Sequence, residues 1–234
     1  MEQSPDSFRV TLLTKAFLIV LLVLWPIGSS LMMSGDMDTR IKELVSPVVQ
    51  IYLPTIILQS VILLLVLLMN RHESGSARSL GYDKFTLDKL FLGLAFFVAA
   101  GLILNLLALL LQQIGSHEDF IDPSYLLPST MTGKLVWVVL SLVVAFAEET
   151  AFRGYALTRV ENIFRSRYAA AVVVSFGFAV GHFYQGIGGV AVIFVYGLMF
   201  AALFYKTGSI WPGIVAHFAQ DVLPLAAAGF FPER

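Results

Sequence analysis

The sequence predicts an all-α fold, a polytopic transmembrane helix bundle of about seven spanning helices, with six to eight as the range. Three observations carry this expectation. The 234 residues are 58% hydrophobic and only 13% charged, against about 45–50% and 25% for a soluble domain. Mean hydropathy is +0.82. Apolar runs near the ~20 residues a bilayer requires recur along the chain, separated by short polar connectors. The 15 Lys and Arg against 16 Asp and Glu, net −1, leave no electrostatic footprint for nucleic acid. With no cysteine, disulfides, thiolate-held metals, iron–sulfur clusters and a Cys nucleophile are excluded. Nineteen Phe and eighteen Gly suit closely packed helices in lipid.

Lys15 leads into a first apolar run, 16–33, with Trp25-Pro26 inside it. Its length, the proline and the lack of a small-x-small cleavage site argue for a retained helix rather than a signal peptide. A segment of mixed charge, 34–46, precedes a second span at 47–69. A basic connector with Arg71, Arg78, Lys84 and Lys89 leads to a third at 91–111. A polar loop at 115–133 contains His117, Glu118, Asp119 and Asp122. The fourth helix, 134 to about 157, is apolar until Ala147, then meets Glu148, Glu149 and Arg153 before a second basic connector with Arg159, Arg165 and Arg167. A fifth span covers 168–184 and is closed by Gly186, Gly188 and Gly189. A sixth covers 190–205. After a turn at Lys206-Thr207-Gly208, a seventh runs from 209 to about 230, with Pro212 in its first turn, where proline is tolerated. Gly177 and Gly181, in small-x-x-x-small spacing, predict a close helix contact. His72 and His117, in polar connectors, read as solvated.

With seven spans, Arg9, Lys15, Arg71, Arg78, Lys84, Lys89, Arg159, Arg165, Arg167 and Lys206 fall on one face. Arg40, Lys42, Lys134 and Arg234 fall on the other. The positive-inside rule then places the N-terminus in the cytoplasm. The basic residues at 71–89 are explained by this topology, with contact to anionic lipid as a secondary role.

An ionisable side chain at the bilayer centre costs about 2.5–3.5 kcal/mol on insertion scales, so it should face a cavity or a partner. The C-terminal half carries Glu148, Glu149, Arg153, His182, His217 and Asp221 inside apolar helices, whereas the first three spans carry almost none beyond Asn105. The contrast divides the chain into an N-terminal transmembrane scaffold, residues 1–132 with about three spans, and a catalytic helical core, residues 133–234 with about four. At ~1.5 Å rise per residue, Glu148 and His217 lie about 13 and 12 Å inside the cytoplasmic ends of their helices, and His182 about 21 Å. Glu149 and Arg153, four apart with the acid first, suit a helical ion pair that leaves Glu148 as the unpartnered acid. A carboxyl in such a cavity suits a general base. His217 and Asp221 share one helix face, and Phe178 and His182 repeat the spacing.

These groups suit a hydrolase in which Glu148 and His182 hold a water and His217, helped by Asp221, stabilises an oxyanion. No Ser or Cys nucleophile is needed, and no Gly-x-Ser-x-Gly elbow is present. No cofactor is expected. Zinc, held by one Glu and two His, is the alternative, not favoured because the spacing is not His-Glu-x-x-His. Buried Glu/His clusters also serve proton relays, so a proton-coupled carrier is a rival from another class. No inverted repeat supports it.

Glu148-Glu149-x-x-x-Arg153, Phe178-x-x-x-His182 and His217-x-x-x-Asp221 occur in this order over residues 148–221. In these motifs the sequence resembles the CAAX-protease and bacteriocin-processing (CPBP) family of intramembrane proteases, which includes the type II CAAX prenyl proteases. The resemblance implies an endopeptidase in which Glu148 and His182 activate water, Glu149 and Arg153 support, and His217 and Asp221 form the oxyanion site. Phe178, in a chain rich in Phe, reads as packing. Where the prenyl proteases have Asn, this chain has Asp221. An ionised carboxylate cannot donate to an oxyanion, so Asp221 either carries a proton or orients His217 as imidazolium. The implied partners are a peptide or protein substrate at the membrane and the lipid bilayer. Prenylated CAAX tails, bacteriocin leaders and membrane-protein segments all suit a site opening toward the cytoplasmic leaflet of a cell (inner) membrane. Some relatives act as non-enzymatic bacteriocin self-immunity proteins, a third reading.

Overall fold

The computed structural model describes residues 8–32, 46–114, 120 and 126–230. Of the expected polar segments at 34–46 and 115–133, residues 34–45, 115–119 and 121–125 lie outside the described residues. Among the described residues there are seven helices besides short 3₁₀ turns, and no strand. They are α1, Leu12–Leu31; α2, Val48–His72; α3, Leu87–Ile114; α4, Met131–Phe164; α5, Arg167–Val180; α6, Gly186–Thr207; and α7, Trp211–Phe230. Helices α1 to α4 and the region of α6 are long and apolar enough to cross a membrane, and α5 is a shorter apolar helix. Their outward faces are apolar, with Leu31, Ile57, Leu102 and Leu135 exposed. This inverts the soluble pattern and is the surface that lipid covers. The chain is a multi-pass helical membrane protein.

Helix α4 is the centre of the bundle, packed against α2 and α7. It begins at an N-cap, where Thr130 accepts from Gly133 N–H at 3.1 Å. Its middle, Glu149–Leu157, is π-helical, and all nine residues there are buried. A π-helical stretch is rare and frequently lies at a functional site, although α1 and α2 each contain a shorter one, Val20–Leu24 and Val48–Tyr52.

The fourth helix does not stop near Leu157 but continues to Phe164, where Arg165 closes it with φ 53°. This resolves the uneven depths expected from sequence. Counted from the α4–α5 turn at the α-helical rise, Glu148 and His182 are both about 22–24 Å along their helices. The turn before α7 sits further up. Ile210 N–H donates to Gly81 O at 3.0 Å, and Gly154 packs against Leu80 O and Ile210. Helix α4 therefore runs ten residues, Tyr155 to Phe164, beyond that level.

The extension carries Arg159 into the interior, a correction to its expected place in an exposed basic connector. Its helical register turns it toward α2, and it is fully buried. Nε donates to Glu73 Oε2 at 3.0 Å and Nη2 to Asn70 Oδ1 at 2.5 Å. Thr14 from α1 and Tyr155 from α4 both donate to Glu73 Oε1. Phe8 lies under the guanidinium at 3.9 Å. Removing Arg159 from the Lys/Arg count still leaves nine against four. Breaking a buried pair from one side leaves an uncompensated charge. Arg159→Leu is expected to lower stability by about 3–5 kcal/mol, measured as resistance to denaturing detergent.

Helix α1 seals α5. Gly177 lies so close to α1 that a Cβ there would stand 2.8 Å from Leu22 O. That carbonyl is the one for which Pro26 supplies no α-helical donor. The expected close contact at Gly177 is thus between α5 and α1. Ser30 Oγ donates to Val180 O at 2.5 Å and Ser29 Oγ to Gly181 O at 3.3 Å, satisfying carbonyls at the end of α5. Asn105, singled out as the polar residue of the first spans, is exposed and bonds Gly101 O of its own helix at 2.8 Å.

Candidate active site

Glu148 and Glu149 lie where α4 passes from α- to π-helical. The expected ion pair is in place, with Arg153 Nη1 donating to Glu149 Oε1 at 2.9 Å and both side chains buried. The guanidinium is flanked by Phe178 of α5 and Phe200 of α6, at 4.5 and 4.6 Å from the ring centroids. Phe178 is buried among Phe152, Arg153 and both imidazoles, which is the packing role expected of it.

Glu149 also reaches across to α7. Its Oε1 is 3.0 Å from His217 Nδ1. A carboxylate only accepts, so Nδ1 carries the hydrogen. A Cβ at position 213 would stand 2.8 Å from Glu149 Oε2, so Gly213 lets α7 approach this carboxylate without displacing it. With Nδ1 held, His217 Nε2 faces the other way, 3.8 Å from Glu148 Oε2 and 3.8 Å from Asp221 Oδ2.

This geometry corrects one expectation. His217 is oriented by Glu149, not by Asp221. The four-residue step along α7 sets Asp221 opposite Nε2 and beyond hydrogen-bond distance, while Nδ1 points to α4. Asp221 is the most open of the group at 28% side-chain exposure, against 13% for Glu148 and 11% for His217. Its backbone is pinned by Trp137, whose Nε1 donates to Asp221 O at 2.9 Å.

Glu148 is not the unpartnered acid the spacing suggested. Gln59 of α2 donates from Nε2 to its Oε1 at 2.8 Å. The other oxygen, Oε2, is buried and has no hydrogen-bond partner among the described residues. Gln59 went unnoticed in the sequence because a neutral amide barely interrupts an apolar run. Its one signal is a carboxamide in the middle of a span.

His182 lies just past the end of α5, in the turn before the 3₁₀ segment Phe183–Gln185. Its Nδ1 is 2.9 Å from Phe178 O, an acceptor, so Nδ1 carries the hydrogen, and in the neutral ring Nε2 keeps its lone pair. Its ring packs on Phe178 at 4.7 Å, and His217 meets the same phenyl edge-on at 6.5 Å. Glu148, His217 and Arg153 are the charged groups that face it. The fold thus gathers Glu148, Glu149, Arg153, Phe178, His182, His217 and Asp221 around one region, with Gln59 added from α2. Among the described residues, no three His, Asp and Glu side chains form a group arranged to hold a metal ion.

A buried acid with one free oxygen, beside an imidazole held by a second acid, places this chain among multi-pass membrane proteins with a polar site enclosed by helices. The family model of the type II CAAX prenyl endopeptidases, Rce1-like, matches residues 130–223. Over this stretch, α4 through most of α7, the chain is similar to the CAAX protease family. Gln59, Asn70 and Glu73 lie outside the match. Comparison with curated proteins and with solved structures gives no match.

Proposed function

We propose that this chain is an intramembrane endopeptidase that hydrolyses a peptide bond with a water activated by Glu148. One observation carries the proposal. Glu148 Oε2 is buried without a donor and stands 3.8 Å from His217 Nε2, a gap that a water about 2.8 Å from each atom bridges. In this reading Oε2 takes a proton as the water oxygen attacks the scissile carbonyl, and returns it to the leaving amine. His182, with Nε2 free to accept, holds the same water. His217, anchored to Glu149, donates from Nε2 to the developing oxyanion when its ring is an imidazolium. Asp221 sits at the open side and contacts the substrate end of the site.

The reading uses no metal and no nucleophilic side chain. The substrate class that fits is a membrane-associated peptide, and the family match favours prenylated CAAX tails over leader peptides. The test is comparative membrane proteomics of cells expressing wild type or Glu148→Gln. Peptide termini present with wild type and absent with the variant are the expected result and name the substrates. Identical termini in both would end the protease reading and leave proton transfer or partner binding as the role of the site.

A further inference from the structure

We propose that Gln59, on α2, is the positioning residue for Glu148: its amide holds one carboxylate oxygen so that the other faces the space shared with His217 and Asp221. The inference rests on the function proposed above and deepens it.

Gln59 is buried in the middle of α2. The neighbouring hydroxyls of Thr55 and Ser60 bond carbonyls of their own helix, Ile51 O and Ile56 O. Gln59 instead crosses to α4, its Nε2 2.8 Å from Glu148 Oε1. The amide orientation follows from chemistry. A carboxylate only accepts, and the flipped group would set two acceptors against each other.

The bond makes the two oxygens of Glu148 unequal. Oε1 is occupied, while Oε2 has no partner and faces His217 Nε2. The terminal torsion of a glutamate is broad and roughly two-fold, so a free carboxylate would turn either oxygen, or neither, toward the imidazole. The other ionisable groups around Glu148 are His217 and Asp221 from α7, His182 beyond α5, and Glu149 with its partner Arg153 on α4. Of the described residues, Gln59 alone hydrogen-bonds the Glu148 side chain. Gln59 Oε1 is itself buried without a donor. An apolar side chain would fill this position without leaving an acceptor unmatched, so packing does not account for the amide. Aiming Glu148 does.

The test uses the full chain in lipid nanodiscs and a farnesylated CAAX-box peptide carrying a fluorophore and quencher. Gln59→Met keeps the length of the side chain and removes the donor. It is expected to lower kcat roughly 10- to 100-fold, the worth of a hydrogen bond to a charged group, with KM within about twofold. A second readout does not depend on turnover. The infrared difference between wild type and Glu148→Gln isolates the Glu148 carboxylate stretch, and this band is expected to move in the Gln59→Met background. Gln59→Leu takes its place if the Met variant does not fold.

Wild-type kcat with an unmoved band would overturn the inference. So would a fall in kcat with the band unmoved, because the loss would then not pass through Glu148. If Glu148→Gln cleaves as fast as wild type while the band moves, the general-base role of Glu148 falls and its positioning by Gln59 stands. If Glu148→Gln is inactive while Gln59→Met keeps both kcat and band, the positioning falls and the hydrolase reading stands.

Discussion

Glu148→Gln is expected to lower the cleavage rate of a farnesylated CAAX-box peptide about 10²–10⁴-fold, the contribution of a positioned general base, while the protein stays folded. The substitution keeps the shape of the side chain. It also keeps a carbonyl oxygen to accept from Gln59, whose amide now bonds Oε1 at 2.8 Å. What it removes is the basic oxygen, Oε2, which has no partner of its own among the described residues. The loss should therefore fall on kcat, with little change in KM, because the base acts on the water and not on the peptide. Activity within a few-fold of wild type would mean that the proton goes elsewhere.

The second large effect is on stability. Arg153→Met strips the cation from Glu149, which is 1% exposed, and leaves the charge to His217 alone. Loss of one partner of a buried pair costs about 3–5 kcal/mol, so this variant should unfold in far milder denaturing detergent than wild type. The double variant Glu149→Leu with Arg153→Met replaces the pair by apolar groups of similar size. It is expected to recover most of that loss, since such replacements are often neutral or stabilising. Its cleavage rate should stay about 10- to 100-fold down, because His217 Nδ1 has lost the acceptor that orients it. Recovery of both stability and cleavage would make Glu149 a structural residue only. Recovery of stability alone assigns it the imidazole as well.

The seven helices were legible because lipid as solvent demands long apolar runs, and these dominate the chain. The residues of the site were legible because a charge inside such a run is expensive enough to need a reason. What escaped shares one physical cause: contacts between helices that leave no periodic mark. The i, i+4 rule sees Glu149 and Arg153 on their own helix, and cannot see that Glu149 also holds His217 across the bundle. The position of Gln59 opposite Glu148 depends on how α2 packs on α4, which an apolar run does not encode. Arg159 read as the start of a connector because polar residues cluster after Leu157. Its burial depends on Glu73 and Asn70, nearly ninety residues earlier in the chain. The π-helical stretch at Glu149–Leu157 has no sequence signature at all, yet Glu149 and Arg153 both lie on it.

The proposal that Glu148 of α4 and His217 of α7 act on one water is tested most directly by a double-mutant cycle on the two residues, read as single-turnover cleavage of the farnesylated peptide by full-length protein in nanodiscs. Two groups that act on one water lose their function together. Glu148→Gln and His217→Gln are each expected to slow cleavage strongly, and the double variant to be no slower than the worse single one. Losses that multiply in the double variant, or a His217→Gln protein as fast as wild type, would contradict a common site.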